Sequence, residues 1–395
     1  MIIVIAWAPF PLQNWQRFLK KDWGEAMKIA QVAPLYESVP PKYYGGTERV
    51  VSYLTEELVR QGHEVTLFAS GDSQTRANLV SPCSRSLRMD KQCVDHLAHH
   101  ILLLEQVFQR ASDFDFIHFH IDYLHFPLSR REKIPQLTTL HGRLDLPDLV
   151  PLYREFHSMP LVSISNAQRA PLPGINWQGT VYHGLPKDLL TLRREKREYL
   201  AFLGRICPEK RVDTAIRLAI QANLPLKIAA KIDKVDQEYF QQVIQPMLQH
   251  PLIEYVGEIQ EDEKEKFLNQ ALALLFPIDW PEPFGLAMIE ALACGTPVIA
   301  RNRGSVREVI GHGETGFIFQ EEAEALQALK DLDQFDRDHC RFVFEERFSA
   351  ERMAQDYVKL YRKILSTVSL TPFLKKYGTI QRDFLKSSEN LNPTR

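Results

Sequence analysis

The chain has 395 residues, more than one ordinary hydrophobic core organises and a suitable length for two domains. Its 45% hydrophobic and 25% charged content is that of a soluble globular protein, and a formal net charge of −2 excludes a whole-molecule field for nucleic acid or anionic lipid. The five cysteines are scattered with no C-x-x-C pair and no zinc spacing, which points to a reducing cytoplasmic compartment, and no apolar run approaches the roughly 20 residues needed to span a bilayer.

Residues 1–26 read as an N-terminal extension. Met1 to Leu12 is apolar, but the stretch lacks a basic start and contains Pro9 and Pro11, which argues against a secretory signal. A membrane-touching segment and translated upstream sequence, with Met27 as the start, both stay open. From Met27 short apolar runs alternate with amphipathic stretches, the pattern of a parallel sheet covered by helices on both faces. The expected strands are Lys28 to Val32, Val65 to Ala69, Phe116 to Phe119, Leu137 to Leu140 and Leu161 to Ser165. The charged run Arg193 to Glu198 breaks the pattern, so the domains are expected at 27–190 and 191–347. A second set follows at Tyr199 to Leu203, Leu226 to Ala230, Leu252 to Tyr255, Ala271 to Phe276, Val298 to Ala300 and Gly316 to Phe319. Met353, Tyr357, Leu360, Tyr361 and Ile364 then mark one face of a helix within 348–367, and 368–395 reads as a polar tail.

Four loops carry chemistry. Tyr44-Gly45-Gly46-Thr47-Glu48 joins the first strand to an apolar-faced helix, where two glycines permit positive φ and close approach of a diphosphate. From spacing alone it is equally an ordinary strand-to-helix turn. His141 ends a first-domain strand, either as a site histidine or as a buried structural one. Arg205 and Lys210 follow the first strand of the second domain and could neutralise a leaving diphosphate, although a basic loop is usually a solvated surface. Which of Lys210 and Arg211 points inward is not fixed by their adjacency. In Glu282-Pro283-Phe284-Gly285-Leu286-Ala287-Met288-Ile289-Glu290, two acids bracket a helix start, so that Glu290 can accept from a ribose diol and Glu282 from the sugar, although on spacing alone they read as two solvated acids in a chain with 50 Asp and Glu.

Other patterns carry less. His118, His120 and Asp122 alternate like metal ligands, but a third histidine or cysteine at ligand spacing is missing. Gly311-His312-Gly313-Glu314-Thr315-Gly316 spells a dinucleotide fingerprint in the wrong order of helix and strand, so it is expected to be a turn. Asp113-Phe114-Asp115 is expected to be a solvated turn.

The string from Glu282 through Ala291-Leu292-Ala293-Cys294-Gly295-Thr296-Pro297-Val298, with Gly204-Arg205 and Glu209-Lys210, resembles the retaining glycosyltransferases of family 4 over roughly Met27 to Leu365. That resemblance implies the GT-B fold: α/β, two Rossmann-like doubly wound domains facing across a cleft, with a last helix crossing back to the first domain. It implies a hexosyltransferase that uses a UDP- or GDP-linked sugar and a hydroxyl acceptor (a sugar, a lipid-linked or a small molecule), with no metal and no cofactor. Its motif carries His141, Arg205, Lys210 and Glu282 over as catalytic residues, and Gly45, Gly46, Phe284, Gly285, Leu286 and Glu290 as donor-binding ones. Ser165-Asn166 and His183-Gly184 resemble further strand-end contacts. Lys231 departs from the pattern, standing where many relatives carry glycine. Arg130, Arg131 and Lys133 are compatible with peripheral membrane contact or with a solvated face. Rival readings are a GT-B epimerase, a phosphorylase, for which no pyridoxal phosphate lysine signal is present, and a non-catalytic sugar-nucleotide binding protein.

Overall fold

The computed structural model describes residues 26–43 and 45–367, so most of the N-terminal extension and the C-terminal tail lie outside the described residues. Two parallel sheets organise them. The first contains β1 (Lys28–Val32), β2 (Glu64–Phe68), β3 (Asn78–Val80), β4 (Phe116–Phe119), β5 (Gln136–Thr139), β6 (Leu161–Ser163) and β7 (Trp177–Thr180), in the order β3-β2-β1-β4-β5-β6-β7. The second contains β8 (Tyr199–Arg205), β9 (Leu226–Lys231), β10 (Ile253–Gly257), β11 (Ala271–Phe276), β12 (Val298–Arg301) and β13 (Gly316–Phe319), in the order β10-β9-β8-β11-β12-β13. Each order reverses direction once, between β1 and β4 and between β8 and β11. In a doubly wound sheet those reversals open a crevice at the carboxyl ends of the strands.

The strands form because their apolar runs are buried on both faces, as parallel sheets require. Ile29, Ala30, Val32, Ile117 and Phe119 are inaccessible or nearly so in the first sheet, as are Leu200, Ala201, Ile228, Leu274 and Ile299 in the second. Two edge elements were not expected from the sequence, β3 and β7. Both are short, incompletely buried and carry Asn78, Gln178 or Gly179 in place of a continuous apolar run.

Helices cover the sheets with faces dictated by their periodicity. Helix α1 (Gly46–Arg60) buries Val50, Val51, Leu54 and Leu58. Helices α2 (Val212–Ala222) and α3 (Glu261–Asn269) cover the second domain. Helix α4 (Leu286–Ala293) is apolar nearly all round and correspondingly buried, and Gly295, with φ of 68°, follows its end. Helix α5 spans Arg337–Arg347, and α6 occupies 350–367. Met353, Tyr357, Tyr361 and Leu365, one face of α6, are buried, and the Tyr361 ring lies 4.5 Å from Phe116 of β4. The last helix therefore packs on the first sheet although it follows the second.

Candidate active site

The cleft between the two sheets encloses a cavity of about 660 Å³ lined by residues from both domains. All ten residues singled out in the sequence lie on its wall: Gly45, Gly46, His141, Arg205, Lys210, Glu282, Phe284, Gly285, Leu286 and Glu290. The chain distributes them among five strand ends and helix starts, so only the fold brings them together.

On the second domain, two acids flank the start of α4, each held by a lysine. Lys210 Nζ is paired with Glu282 Oε2, and the same oxygen accepts from Trp280 Nε1 at 3.0 Å. Lys264 Nζ lies 2.6 Å from Glu290 Oε1. Glu282 and Glu290 are 8% and 4% exposed, so these carboxylates depend on their cations. Gly285 caps α4 with φ of 82°, and a Cβ there would lie 2.8 Å from Met288 Cε and 3.0 Å from Phe276 Cζ. The turn thus needs glycine both for its backbone and for its closeness to neighbours. Leu286 and Ala287, the first residues of α4, line the cleft, so the positive end of the helix dipole is presented to it. Phe284 is 2% exposed, and its ring lies 4.8 Å from His183.

The adjacent cations resolve as follows. Lys210 lines the cleft, whereas Arg211 turns to Asp213 and Asp279. Arg205 lines the cleft from the end of β8 with Asp233 at 3.3 Å and Asp236 at 3.6 Å. Lys231 also lines the cleft and pairs with Asp233 at 3.0 Å, so the departure from glycine adds a charge beside Arg205.

On the first domain, Gly45 and Gly46 open α1, but not by positive φ. Gly45 is extended at φ −178°, and its requirement is steric, since a Cβ would sit 2.8 Å from Pro41 Cβ. Gly46 faces Leu286 across the cleft, with Leu286 Cδ1 3.8 Å from where a Cβ would stand. Arg49, one turn into α1, pairs across the domains with Glu261, and Glu261 lies 3.2 Å from Lys264. Ion pairs thus connect α1 to Glu290.

The histidines form a buried group. His141 Nε2 is 2.9 Å from His120 Nδ1, and its ring stacks on His183 with centroids 5.3 Å apart. Burial lowers the His141 pKa to about 3 and pushes His118, His120 and His183 well below their ordinary range. His118 is fully buried between Tyr361 and Thr139, so the alternating His118, His120 and Asp122 are not directed at one point. Among the described residues no group of three or more His, Cys, Asp or Glu is placed to hold a metal ion. Asp122 sits beyond the end of β4 with φ of 51° and lines the cleft; its side chain keeps solvent contact, and desolvation by the protein packed round it raises its carboxyl to about 6. Sequence reading treated Asp122 only as a possible metal ligand and missed its place on the cleft wall, which follows from a kink just past β4.

Most other expectations resolve outside the cavity. Ser165 caps the short helix Asn166–Arg169, and Asn166 reaches Glu308 of the second domain at 2.7 Å through its backbone amide. His183 lines the cavity, while Gly184 passes so close to Ser349 that a Cβ would lie 2.3 Å from its carbonyl oxygen. Gly311 to Gly316 is a turn leading into β13. Asp115 is not solvated as expected: it is 9% exposed, because its carboxylate accepts the Lys28 backbone N–H at 2.8 Å at the start of β1. Arg130 is held by Glu155 at 2.8 Å and lies over Phe156. No helix among the described residues is long and apolar enough to cross a membrane, and all five cysteines are free.

Two doubly wound sheets facing across a cleft, with a last helix returning to the first, define the GT-B fold. The chain belongs to the glycosyltransferases of the group 1 and family 4 type: residues 191–341 match the family model for glycosyl transferases group 1, and residues 44–172 that for Glycosyltransferase Family 4. It is 26% identical over 384 residues to the N-acetyl-alpha-D-glucosaminyl L-malate synthase of Bacillus anthracis, covering 86% of this chain and 98% of the relative. Its fold is similar to that of the sucrose-phosphate synthase of Thermosynechococcus elongatus, with TM-score 0.72, 18% identity and coverage of 86% and 100%. It is also similar to Anabaena Alr3699/HepE in complex with UDP and glucose, with TM-score 0.68, 17% identity and coverage of 85% and 100%.

Proposed function

We propose that this enzyme transfers a hexosyl group from a UDP- or GDP-linked sugar to a hydroxyl acceptor with retention of anomeric configuration. The observation that carries this reading is the convergence of the four sequence loops on one cleft, with two lysine-held carboxylates flanking the start of α4. In the proposed complex Glu290 accepts from the ribose diol. Glu282 and the backbone of Phe284, Gly285 and Leu286 hold the sugar. Arg205, Lys210 and the Gly45-Gly46 turn take the diphosphate, whose negative charge grows as the glycosidic bond breaks. His141 positions the sugar and the acceptor. The Anabaena neighbour with UDP and glucose supports a nucleotide-sugar donor.

The proposed step is a front-face displacement. The bond from the anomeric carbon to the diphosphate breaks, the acceptor oxygen bonds to that carbon on the same face, and the acceptor proton passes to the departing diphosphate. Charge stabilisation comes from Arg205 and Lys210, with no metal or cofactor in the step, and five free cysteines suit a reducing cytoplasm. Asp122 is the first-domain carboxylate to inspect for a covalent intermediate; trapping one there overturns the front-face route. The reading is tested by hydrolysis of a panel of nucleotide sugars, which needs no acceptor. One sugar nucleotide is expected to be cleaved slowly, and Glu290→Ala and Lys210→Ala each abolish that cleavage. Nucleotide binding without hydrolysis of any panel member favours a binding protein or a transferase strictly dependent on its acceptor.

A further inference from the structure

Behind His141 a line of hydrogen bonds runs through the first domain to the crossover helix. His120 Nδ1 faces His141 Nε2 at 2.9 Å, and His120 Nε2 faces Gln31 Oε1 at 2.8 Å. Gln31 Nε2 donates to Tyr361 Oη at 3.2 Å. Tyr361 Oη is 2.7 Å from His118 Nδ1, and His118 Nε2 is 2.7 Å from Thr139 Oγ1, which meets Tyr357 Oη at 2.9 Å. Gln31, His118, His120, Thr139, Tyr357 and Tyr361 are each 2% exposed or less, so water cannot replace a missing partner.

Such a line has a direction. A Gln carbonyl oxygen only accepts, so His120 Nε2 carries its hydrogen and, the ring being neutral, Nδ1 is bare. His141 Nε2 must then donate to it, which leaves His141 Nδ1 bare. Tyr361, already accepting from Gln31, gives its own hydrogen to His118 Nδ1, and His118 Nε2–H continues to Thr139. Turning the Gln31 amide over reverses every bond and puts the hydrogen of His141 on Nδ1. The sense set by Gln31 Oε1 facing His120 keeps His118, His120 and His141 all in the intrinsically preferred Nε2–H tautomer. His141 Nδ1, shielded from solvent on a ring that lines the cleft, has no hydrogen-bond partner among the described residues.

We propose that Tyr361, acting through Gln31 and His120, fixes His141 as a neutral imidazole with a bare Nδ1, a hydrogen-bond acceptor for a ligand hydroxyl. This rests on the function proposed above only for the identity of that ligand. Tyr361, Gln31 and His120 are positioning residues in this scheme. The crossover helix thereby reports its docking to the cleft, because Tyr361 reaches Gln31 and His118 only when α6 is seated on β1 and β4.

The test is ¹⁵N NMR of histidine-labelled full-length protein without ligand, with the His141 signals assigned from a His141→Gln sample. The expected wild-type pattern is a protonated Nε2 and a bare Nδ1. Tyr361→Phe keeps the ring against Phe116, frees the Gln31 amide to turn, and is expected to move His141 toward the Nδ1–H form. Gln31→Met is the second variant, and serves alone if Tyr361→Phe does not fold. Wild-type His141 found as Nδ1–H or as imidazolium, or nitrogen shifts unmoved in a folded variant, overturns the proposal. Donor hydrolysis by Tyr361→Phe is expected to fall on the order of tenfold in kcat with KM held, the worth of about one hydrogen bond. If no panel sugar is either hydrolysed or bound, the functional reading fails while the tautomer result stands by itself.

Discussion

Lys264 Nζ lies 2.6 Å from Glu290 Oε1, with the two side chains 12% and 5% exposed. The carboxylate proposed to hold ribose is therefore occupied by a cation of its own domain, and that cation continues through Glu261 to Arg49 of the first domain. Removing one member of a buried pair strands the other charge. Lys264→Ala is expected to cost on the order of 3 kcal/mol in urea unfolding. Adding Glu290→Gln to it should recover part of that loss, since no uncompensated carboxylate remains. Equal loss in single and double variants would show that Lys264 stabilises through other contacts.

Trp280 Nε1 donates to Glu282 Oε2 at 3.0 Å, and Lys210 Nζ lies 5.2 Å from the centre of its ring. The indole thus orients the carboxylate proposed for the sugar and the cation proposed for the diphosphate. Trp280→Phe keeps an aromatic face for Lys210 and removes only the N–H. Donor hydrolysis is expected to fall on the order of tenfold, the worth of one hydrogen bond to a charged group. Nucleotide affinity should change little, because Glu290 is untouched; a large loss of nucleotide binding would contradict this division of roles.

Gly285 and Gly313 share φ of 82°, but differ in surroundings: a Cβ at Gly313 meets nothing within 4 Å. Alanine at either position pays the left-handed penalty of about 1–2 kcal/mol. Gly285→Ala must in addition displace Met288 and Phe276, so its unfolding free energy should drop clearly below that of Gly313→Ala. Equal losses would mean that the α4 turn relaxes at no cost.

The strands were legible wherever both faces are buried. Ala271–Phe276 is a continuous apolar run and Phe116–Phe119 is apolar but for His118, and the ends of both coincide with those expected, while Trp177–Thr180, with Gln178 and Gly179 at a sheet edge, offers no such signal. The Glu282-to-Glu290 loop was legible because its parts are close in sequence. Loop glycines were found for the wrong reason at Gly45, since letters do not distinguish positive φ from the nearness of Pro41. The histidine line was invisible because its members are distant, with Gln31 and Tyr361 separated by 330 positions. Alternation of His118 and His120 was the available clue, but the partners that settle their roles lie on other strands and on α6.

The buried histidines make the fold acid-labile. Burial depresses His118, His120, His125 and His183 well below the ordinary value of 6.5, so the folded protein keeps them neutral while the unfolded chain protonates them. Their contribution is complete above about pH 6.5 and is lost as pH falls from there toward the folded values. Each contributes a slope of about 1.4 kcal/mol per pH unit in that window. Urea unfolding between pH 7 and pH 5 should therefore show a slope steeper than one histidine supplies. His125→Asn, which removes one titrating ring packed between Ser129 and Thr138, should flatten it.

Asp122 titrates in the opposite sense. The protein packed round it desolvates its carboxyl and raises it from the ordinary 3.8 to about 6, so the folded state favours the protonated form, weakly because the side chain keeps solvent contact. Its contribution is fully present below about pH 4 and is lost as pH rises through about 6, which partly offsets the histidine slope. Asp122→Asn removes the charge and suits the left-handed backbone at φ of 51°, a region that Asn tolerates well. The variant should therefore melt higher than wild type at pH 7.5 and match it at pH 4. A melting difference independent of pH would assign the effect to the backbone. If Asp122 also contacts the acceptor, its place on the first-domain wall implies that Asp122→Asn slows transfer while donor hydrolysis persists, and loss of both would place it on the donor.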